Sequence, residues 1–132
     1  MKIYMASRYS RIKEMGEAAA VLRSMGHEIT SRWINGDHQI SDDGLSIEAK
    51  QEERVRFATE DLHDLMVADC CLNFSEKPRG TNSRGGRHVE YGIALAAGKR
   101  VVVIGPRENV FHCLPVVEWY PDFKAFLKSG DL

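Results

Sequence analysis

The sequence lacks several features that would place it in a common class of protein. Its 132 residues carry a formal net charge of -1 and contain no long basic run, which argues against a nucleic-acid polymer as partner. Three cysteines are present, Cys70 and Cys71 side by side and Cys113 alone. This spacing provides neither an even disulfide set nor a metal-binding C-x-x-C pair, so we expect buried thiols and no metal.

Long apolar segments are also missing. No stretch approaches the roughly 20 apolar residues of a membrane helix, and the start MKIYMASRYS has no apolar signal-peptide core. A chain of this length is expected to fold around one core. We therefore expect a single cytoplasmic domain over residues 1–132 with no membrane partner.

Two motifs of nucleotide chemistry are absent. The segment GTNSRGGR, Gly80 to Arg87, has Gly-Arg where a P-loop has Gly-Lys followed by Ser or Thr, so no hydroxyl would hold magnesium. No G-x-G-x-x-G follows the first apolar segment. These absences argue against an NTPase and a dinucleotide-dependent oxidoreductase, and we expect no cofactor.

The apolar pattern that is present alternates between strand and helix. Strands are predicted at Lys2 to Ala6, His27 to Arg32, Cys70 to Phe74, Val101 to Ile104 and Val116 to Trp119. Helices are predicted at Arg11 to Met25, about Ser46 to Met66, the segment from Gly86 that ends before Gly98, and Asp122 to Lys128. The order β-α-β-α-β-α-β-β-α predicts a three-layer, flavodoxin-like (Rossmann-like) α/β domain with a central, mainly parallel five-stranded sheet.

Spacings of three and four residues predict the buried face of each helix. The predicted faces are Val55, Ala58, Leu62 and Leu65 on the second helix, and Val89, Ile93, Ala96 and Ala97 on the third. Glu60, Asp61 and Asp64 then form a solvated acidic face. Acidic residues late in a helix oppose its dipole, so one of them is expected to have a role other than stabilising the helix.

Glu90 is the first candidate for chemistry. It lies near the start of the third helix, after Gly85 and Gly86, where α/β domains bind ligands at the carboxyl edge of the sheet. The helix dipole favours its ionised form, so we expect an available carboxylate, suited to act as a nucleophile. An acidic residue in a first helical turn is also ordinary helix chemistry.

Other polar residues follow the predicted strands at this edge. Ser7 and Arg8 come after the first strand, and Trp33 heads the polar loop that runs to Gly44. Trp33 either stacks on a planar ligand or pins the loop. The segment PRENVFHCLP, Pro106 to Pro115, places Asn109 and His112 between apolar anchors, which are Val110, Phe111 and Leu114.

Four segments together resemble the nucleoside 2-deoxyribosyltransferase family, including its branch of nucleoside 5′-monophosphate N-glycosidases. They are KIYMASR, EDLHDLMVADCCLNF, GGRHVEYGIALAAGK with VVVIG, and PRENVFHCLP. The resemblance implies cleavage of an N-glycosidic bond by attack of Glu90 on C1′ of the sugar, through a glycosyl-enzyme ester. It also implies that Tyr4 hydrogen-bonds the nucleophile and that Asp61 helps to orient the substrate and manage the leaving base.

A residue expected to bind substrate departs from the family pattern. Its transferases often carry aspartate six positions before the nucleophile and its nucleotide hydrolases serine, where this chain has Arg84. Together with Arg8, Arg79 and Arg87, Arg84 favours a 5′-monophosphate over a free nucleoside. The expected substrate-binding residues are Ser7, Arg8, Trp33, Arg84, Gly86, His88 and Asn109.

The resemblance also implies a homodimer or larger homo-oligomer, with Asn109 or His112 completing a neighbour's pocket. Transfer of the sugar to water and transfer to another base both stay open. Two other classes also stay open: a non-catalytic nucleotide or ADP-ribose sensor on the same fold, and an enzyme that cleaves the ribosyl bond of NAD.

Overall fold

The computed structural model describes residues 1–36, 50–80, 85–129 and 132. Within them lies an all-parallel five-stranded sheet of order β2-β1-β3-β4-β5. Its strands are β1 (Lys2–Ala6), β2 (Glu28–Ile29), β3 (Cys70–Phe74), β4 (Arg100–Ile104) and β5 (Glu118–Tyr120). Strands β3 and β4 are apolar along most of their length because helices cover both faces of the sheet.

Four α-helices flank the sheet, α1 (Ile12–Ser24), α2 (Gln51–Met66), α3 (Gly86–Ala96) and α4 (Phe123–Ser129). Right-handed crossovers in this strand order place α2 and α3 on one face and α1 on the other. Phe74 contacts Phe123 of α4 with ring centroids 5.9 Å apart, while Tyr4 hydrogen-bonds Glu90 of α3. The predicted three-layer α/β architecture is confirmed, and the sheet is entirely parallel.

Strand β4 begins at Arg100, one residue before its predicted start, and two other strands differ more from their predicted bounds. Strand β2 stops at Ile29, because Arg32–Asn35 turns into a short 3-10 helix that Asp64 holds by accepting the Arg32 N–H at 3.0 Å. Strand β5 begins at Glu118, later than predicted, and Val116 is exposed. The hydrogen bond from Arg32 to Asp64 at the end of β2 is not revealed by the apolar pattern.

Of the predicted buried faces of α2 and α3, Leu65 is confirmed as buried and Ile93 packs against the core, but most of the other positions are wrong. The buried residues are Phe57, Asp64 and Leu65 on α2, and Arg87, Tyr91 and Ala94 on α3. Val55, Leu62 and Val89 are instead exposed, Val89 by 62%, as are Ala58, Ala96 and Ala97. Each helix therefore buries one charged side chain beside its apolar ones and leaves other apolar side chains exposed.

The thiols divide into two groups. Cys70 and Cys71 are buried in β3 as predicted, but Cys113 is exposed, because the short 3-10 helix Val110–Cys113 turns His112 inward instead. Among the helices of the described residues, none is long and apolar enough to cross a membrane.

Candidate active site

Glu90 and Tyr4 form the centre of the candidate site. Tyr4 lies in the middle of β1 with none of its surface exposed, and its hydroxyl donates a hydrogen bond to Glu90 Oε2. Burial, followed by the nearby charges of Glu90 and Asp61, raises the pKa of Tyr4 far above its usual value. Tyr4 therefore keeps its proton and acts as a fixed donor to Glu90.

The expectation that Glu90 is ionised at neutral pH is wrong. Burial, together with the charge of Asp61, raises its pKa from the usual 4.5 to about 8, although the Tyr4 hydrogen bond acts in the opposite direction. Glu90 is the fifth residue of α3, beyond the first turn in which the helix dipole acts most strongly. Its side chain keeps some exposed surface, so a ligand can reach a carboxyl group that is mostly protonated near pH 7.

Asp61 completes a cluster of three titratable groups. It lies on α2 with intermediate exposure, and its charge raises the pKa of both Tyr4 and Glu90. The sequence placed Asp61 on an outward acidic face, but α2 is rotated so that this side approaches the sheet. Two carboxyl groups therefore share one site, an arrangement that separates their ionisation.

The backbone before α3 explains how Glu90 reaches this position. Gly85 precedes the helix with φ of +81°, a conformation that favours glycine, and Gly86 is the first helical residue. The predicted tight turn is confirmed at Gly85. At the other end of α3, Gly98 has φ of +73°, as predicted for a helix terminus.

The first turn after β1 carries Ser7 and Arg8. Ser7 Oγ donates to the Arg8 carbonyl oxygen at 2.9 Å, and Arg8 Nε lies 3.5 Å from Glu76. Both side chains keep intermediate exposure. Their contact with substrate stays a prediction.

Trp33 is mostly buried, with 6% of its surface exposed. Its indole N–H donates to the Met5 carbonyl oxygen at 2.7 Å, and its ring packs against Tyr9. Of the two interpretations, the structure favours the one in which Trp33 pins the chain that follows β2.

Arg87 does not belong to a group of free arginines at the mouth of the site. It is 3% exposed, and its Nη2 donates to Glu108 Oε2 at 2.5 Å. His88, with intermediate exposure, lies 3.2 Å from Arg87 and 3.6 Å from Glu108. His88 and Glu90 are two residues apart in α3, so their side chains point in different directions.

The segment after β4 is held by polar contacts. Asn109 Oδ1 accepts the Phe111 N–H at 2.9 Å, so Asn109 caps the short helix. Val110 and Phe111, predicted as anchors, are exposed, whereas His112 is buried and accepts the Glu108 N–H at 3.0 Å. His112 therefore anchors its own chain, and burial lowers its pKa.

Arg84, predicted to bind substrate, lies outside the described residues. Arg79 is described, exposed, and adopts φ of 60°. Among the described residues no group of three His, Cys, Asp or Glu side chains could hold a metal ion.

Sequence reasoning missed two acidic residues that tie this edge together. Glu76 follows β3 and pairs with Arg11 at 2.7 Å, and its backbone N–H donates to Glu108, which follows β4, at 3.1 Å. A carboxylate shortly after each of two adjacent parallel strands was a usable signal, because the carboxyl ends of such strands meet at one edge of the sheet.

Sheet order and site together define a flavodoxin-like α/β protein with paired carboxyl groups and a tyrosine on one side of its sheet. The structure resembles a 2-deoxyribosyltransferase from Bacillus psychrosaccharolyticus with a TM-score of 0.74 and 22% identity, covering 100% of this chain and 93% of that one. It also resembles a conserved protein from Enterococcus faecalis V583, with a TM-score of 0.55 and 19% identity over 81% of this chain and 64% of that one.

The resemblance seen in the sequence is thus confirmed as a shared fold. No protein-family model matches the sequence, and no curated protein does either.

Proposed function

We propose that this protein cleaves the N-glycosidic bond of a 2′-deoxynucleoside, preferentially its 5′-monophosphate, through a covalent glycosyl-Glu90 intermediate. The observation that carries the proposal is the hydrogen bond from buried Tyr4 to Glu90 beside Asp61. A carboxyl group held by a protonated tyrosine is positioned as a nucleophile, and a second carboxyl group nearby suits the two-carboxylate chemistry of glycosidic bonds.

The chemical step begins with ionised Glu90. One carboxylate oxygen forms a bond to C1′ while the bond from C1′ to the base nitrogen breaks, and the bonding electrons leave with the base, which takes up a proton. The transition state resembles an oxocarbenium ion, so the negative charges of Glu90 and Asp61 stabilise it.

Water or a second base then attacks C1′ and releases Glu90, with the incoming group losing its proton. Tyr4 holds the carboxyl group in place throughout, and Asp61 orients the sugar and the departing base.

Preference for a monophosphate is supported by the cations at this edge, and the structure changes which of them contribute. Arg87 forms an ion pair with Glu108 at 2.5 Å, so we no longer propose that it binds the phosphate. Arg8, Arg79 and Arg84 stay as the candidate phosphate ligands, and Arg8 lies 3.5 Å from Glu76.

We also propose that the chain assembles as a homodimer or larger homo-oligomer. Val55, Leu62 and Met66 form an exposed apolar stripe on α2, and Val89 is exposed on the adjacent α3. Exposed apolar residues grouped on one side of a domain are typical of a subunit interface. The site lies between these helices and the sheet, so a second copy would border it.

The test is release of free base, followed by chromatography. The protein is incubated with deoxynucleosides, their 5′-monophosphates and NAD, with and without a second base. We expect release from monophosphates, lost at least about 10³-fold in Glu90→Ala and unchanged in Glu17→Ala, an exposed control on α1.

The other outcomes separate the alternatives. A new nucleoside formed only with added base would select transfer, and release from NAD alone would select the NAD enzyme. No release from any substrate would contradict the proposal and leave the sensor, and near-normal rates in Glu90→Ala would remove Glu90 as nucleophile.

A further inference from the structure

Asn73 is a buried polar side chain with an unusual environment. It lies in β3 with 0% of its surface exposed, and among the described residues neither Oδ1 nor Nδ2 has a hydrogen-bond partner. Buried amides are almost always hydrogen-bonded, because an unmade bond costs the desolvation energy of the group. This exception requires an explanation.

Other buried polar atoms at this edge are less exceptional. Arg87 Nε and His112 Nε2 also lack partners within the described ranges, but other atoms of both side chains are hydrogen-bonded. Asn73 differs because both ends of its amide are unused. Among the described residues its amide therefore holds no neighbouring element by a hydrogen bond, which argues against a purely structural role.

The strand register places Asn73 beside the proposed nucleophile. Tyr4 pairs with Cys71 and Ala6 with Asn73, and alternate residues of a strand share a face. Asn73 therefore lies on the same face as Tyr4 and Cys71. The charge of Glu90 contributes to raising the pKa of Cys71, so Glu90 is close to this row.

The backbones of Tyr4 and Asn73 are close together on this face. Two residues along a strand span about 7 Å and neighbouring strands lie about 4.8 Å apart, so the Cα atoms of Tyr4 and Asn73 are about 8 Å apart. The displacement is toward the carboxyl edge, where substrate enters such folds. A sugar with C1′ against Glu90 would extend over Asn73.

We propose that Asn73 binds a sugar hydroxyl of the substrate, the 3′-hydroxyl of a deoxyribosyl group, an inference that rests on the proposed function. A hydroxyl both donates and accepts hydrogen bonds, and so does a carboxamide. Because Asn73 has no exposed surface, the sugar reaches it by displacing the side chains above it, so that binding involves an induced fit.

The first test measures stability. Asn73→Leu replaces the amide with an apolar group of similar size, so the unmade hydrogen bonds disappear. We expect the melting temperature to stay level or rise by about 4 °C. Val103→Ala is the matched control, because Val103 pairs with Asn73 in β4 and is fully buried, and its truncation lowers the melting temperature.

The second test measures recognition of the hydroxyl. Base release is compared for a 2′-deoxynucleoside 5′-monophosphate and its 2′,3′-dideoxy analogue. We expect wild type and Val103→Ala to prefer the hydroxylated substrate by about 10²-fold or more in kcat/KM, and Asn73→Leu to prefer it by less than about tenfold.

The remaining outcomes contradict the inference. A fall in melting temperature in Asn73→Leu would show that the amide is structural, and unchanged preference for the hydroxyl would show that it does not contact the sugar. Equal loss on both substrates would point to distortion of the site. A wild type that releases no base from any substrate overturns the proposed function and this inference with it, whereas base release with an unchanged hydroxyl preference overturns the inference alone.

Discussion

Glu90 is subject to opposing influences from its neighbours. Burial and Asp61 favour the protonated form, whereas the Tyr4 hydrogen bond favours the ionised form. In the proposed reaction Glu90 must be ionised to act as a nucleophile, so a pKa of about 8 would set the pH range over which the free protein reacts. In that reaction Tyr4 and Asp61 would adjust the reactivity of Glu90 as well as its position.

The pH dependence of kcat/KM for base release should rise toward an apparent pKa near 8. Tyr4→Phe removes the donor, so we expect the apparent pKa to move up, and Asp61→Asn removes a negative charge, so we expect it to move down. Rate profiles from about pH 6 to about pH 10 measure both shifts. A flat profile, or shifts of opposite sign, would contradict the assignment.

The folding stability of the protein should depend on the protonation of Glu90. Because the pKa of Glu90 is raised from 4.5 to about 8 on folding, the unfolded chain releases this proton at lower pH than the folded chain. The contribution of Glu90 to folding stability is therefore constant below about pH 4.5, falls as pH rises toward about 8, and is constant again above it.

Glu90→Gln should remove that decline. Urea unfolding of the two proteins at about pH 5 and about pH 8 measures it, and we expect the stability of wild type to fall relative to the variant. Parallel changes in both proteins would show that Glu90 is not perturbed.

Two acidic residues lie on the inward side of helix α2, and the contacts of Asp64 give the reason. Asp64 is buried and accepts the Arg32 backbone N–H and the guanidinium Nε, both at 3.0 Å. It holds the 3-10 helix that ends β2 and contains Trp33. Asp61 lies three residues earlier on the same side, so anchoring of α2 by Asp64 also positions Asp61.

Asp64→Ala should lower the free energy of unfolding by about 1–3 kcal/mol, because it leaves a backbone N–H unpaired. His63→Ala, exposed on the same turn, should change it by less than about 0.5 kcal/mol. Chemical denaturation measures both. Equal effects would show that the Asp64 contact contributes nothing specific.

Across the whole molecule, the exposed apolar stripe on α2 and α3 is expected to form the subunit interface. Leu62→Glu places a charge in that stripe, where Leu62 is 48% exposed. We expect it to yield a monomer by sedimentation at micromolar concentration, because a charge buried without a partner opposes association. Lys13→Glu, at an exposed position of α1, should leave the assembly unchanged. A monomeric wild type would contradict the proposed interface.

The fold was readable from the sequence because it depends on long, alternating apolar segments such as β3 and β4. The buried faces of the helices could not be predicted, because α3 buries Arg87 and α2 buries Asp64 through ion pairs. Spacing rules place such charged residues at the surface. Glu90 was a candidate from its place near the start of α3, Tyr4 and Asp61 were found through the resemblance, and the structure brings the three together. The protonation of Glu90 depends on its burial, and the position of Asn73 beside Tyr4 depends on the strand register. Neither can be predicted from the sequence alone.

The most direct measurement is the mass of the protein during turnover. Rapid acid quenching of wild type with a deoxynucleoside 5′-monophosphate should trap an adduct of one sugar phosphate, which peptide mapping places on Glu90, and Glu90→Ala should show none. Base release without an adduct, or an adduct on another residue, would contradict the glycosyl-Glu90 intermediate.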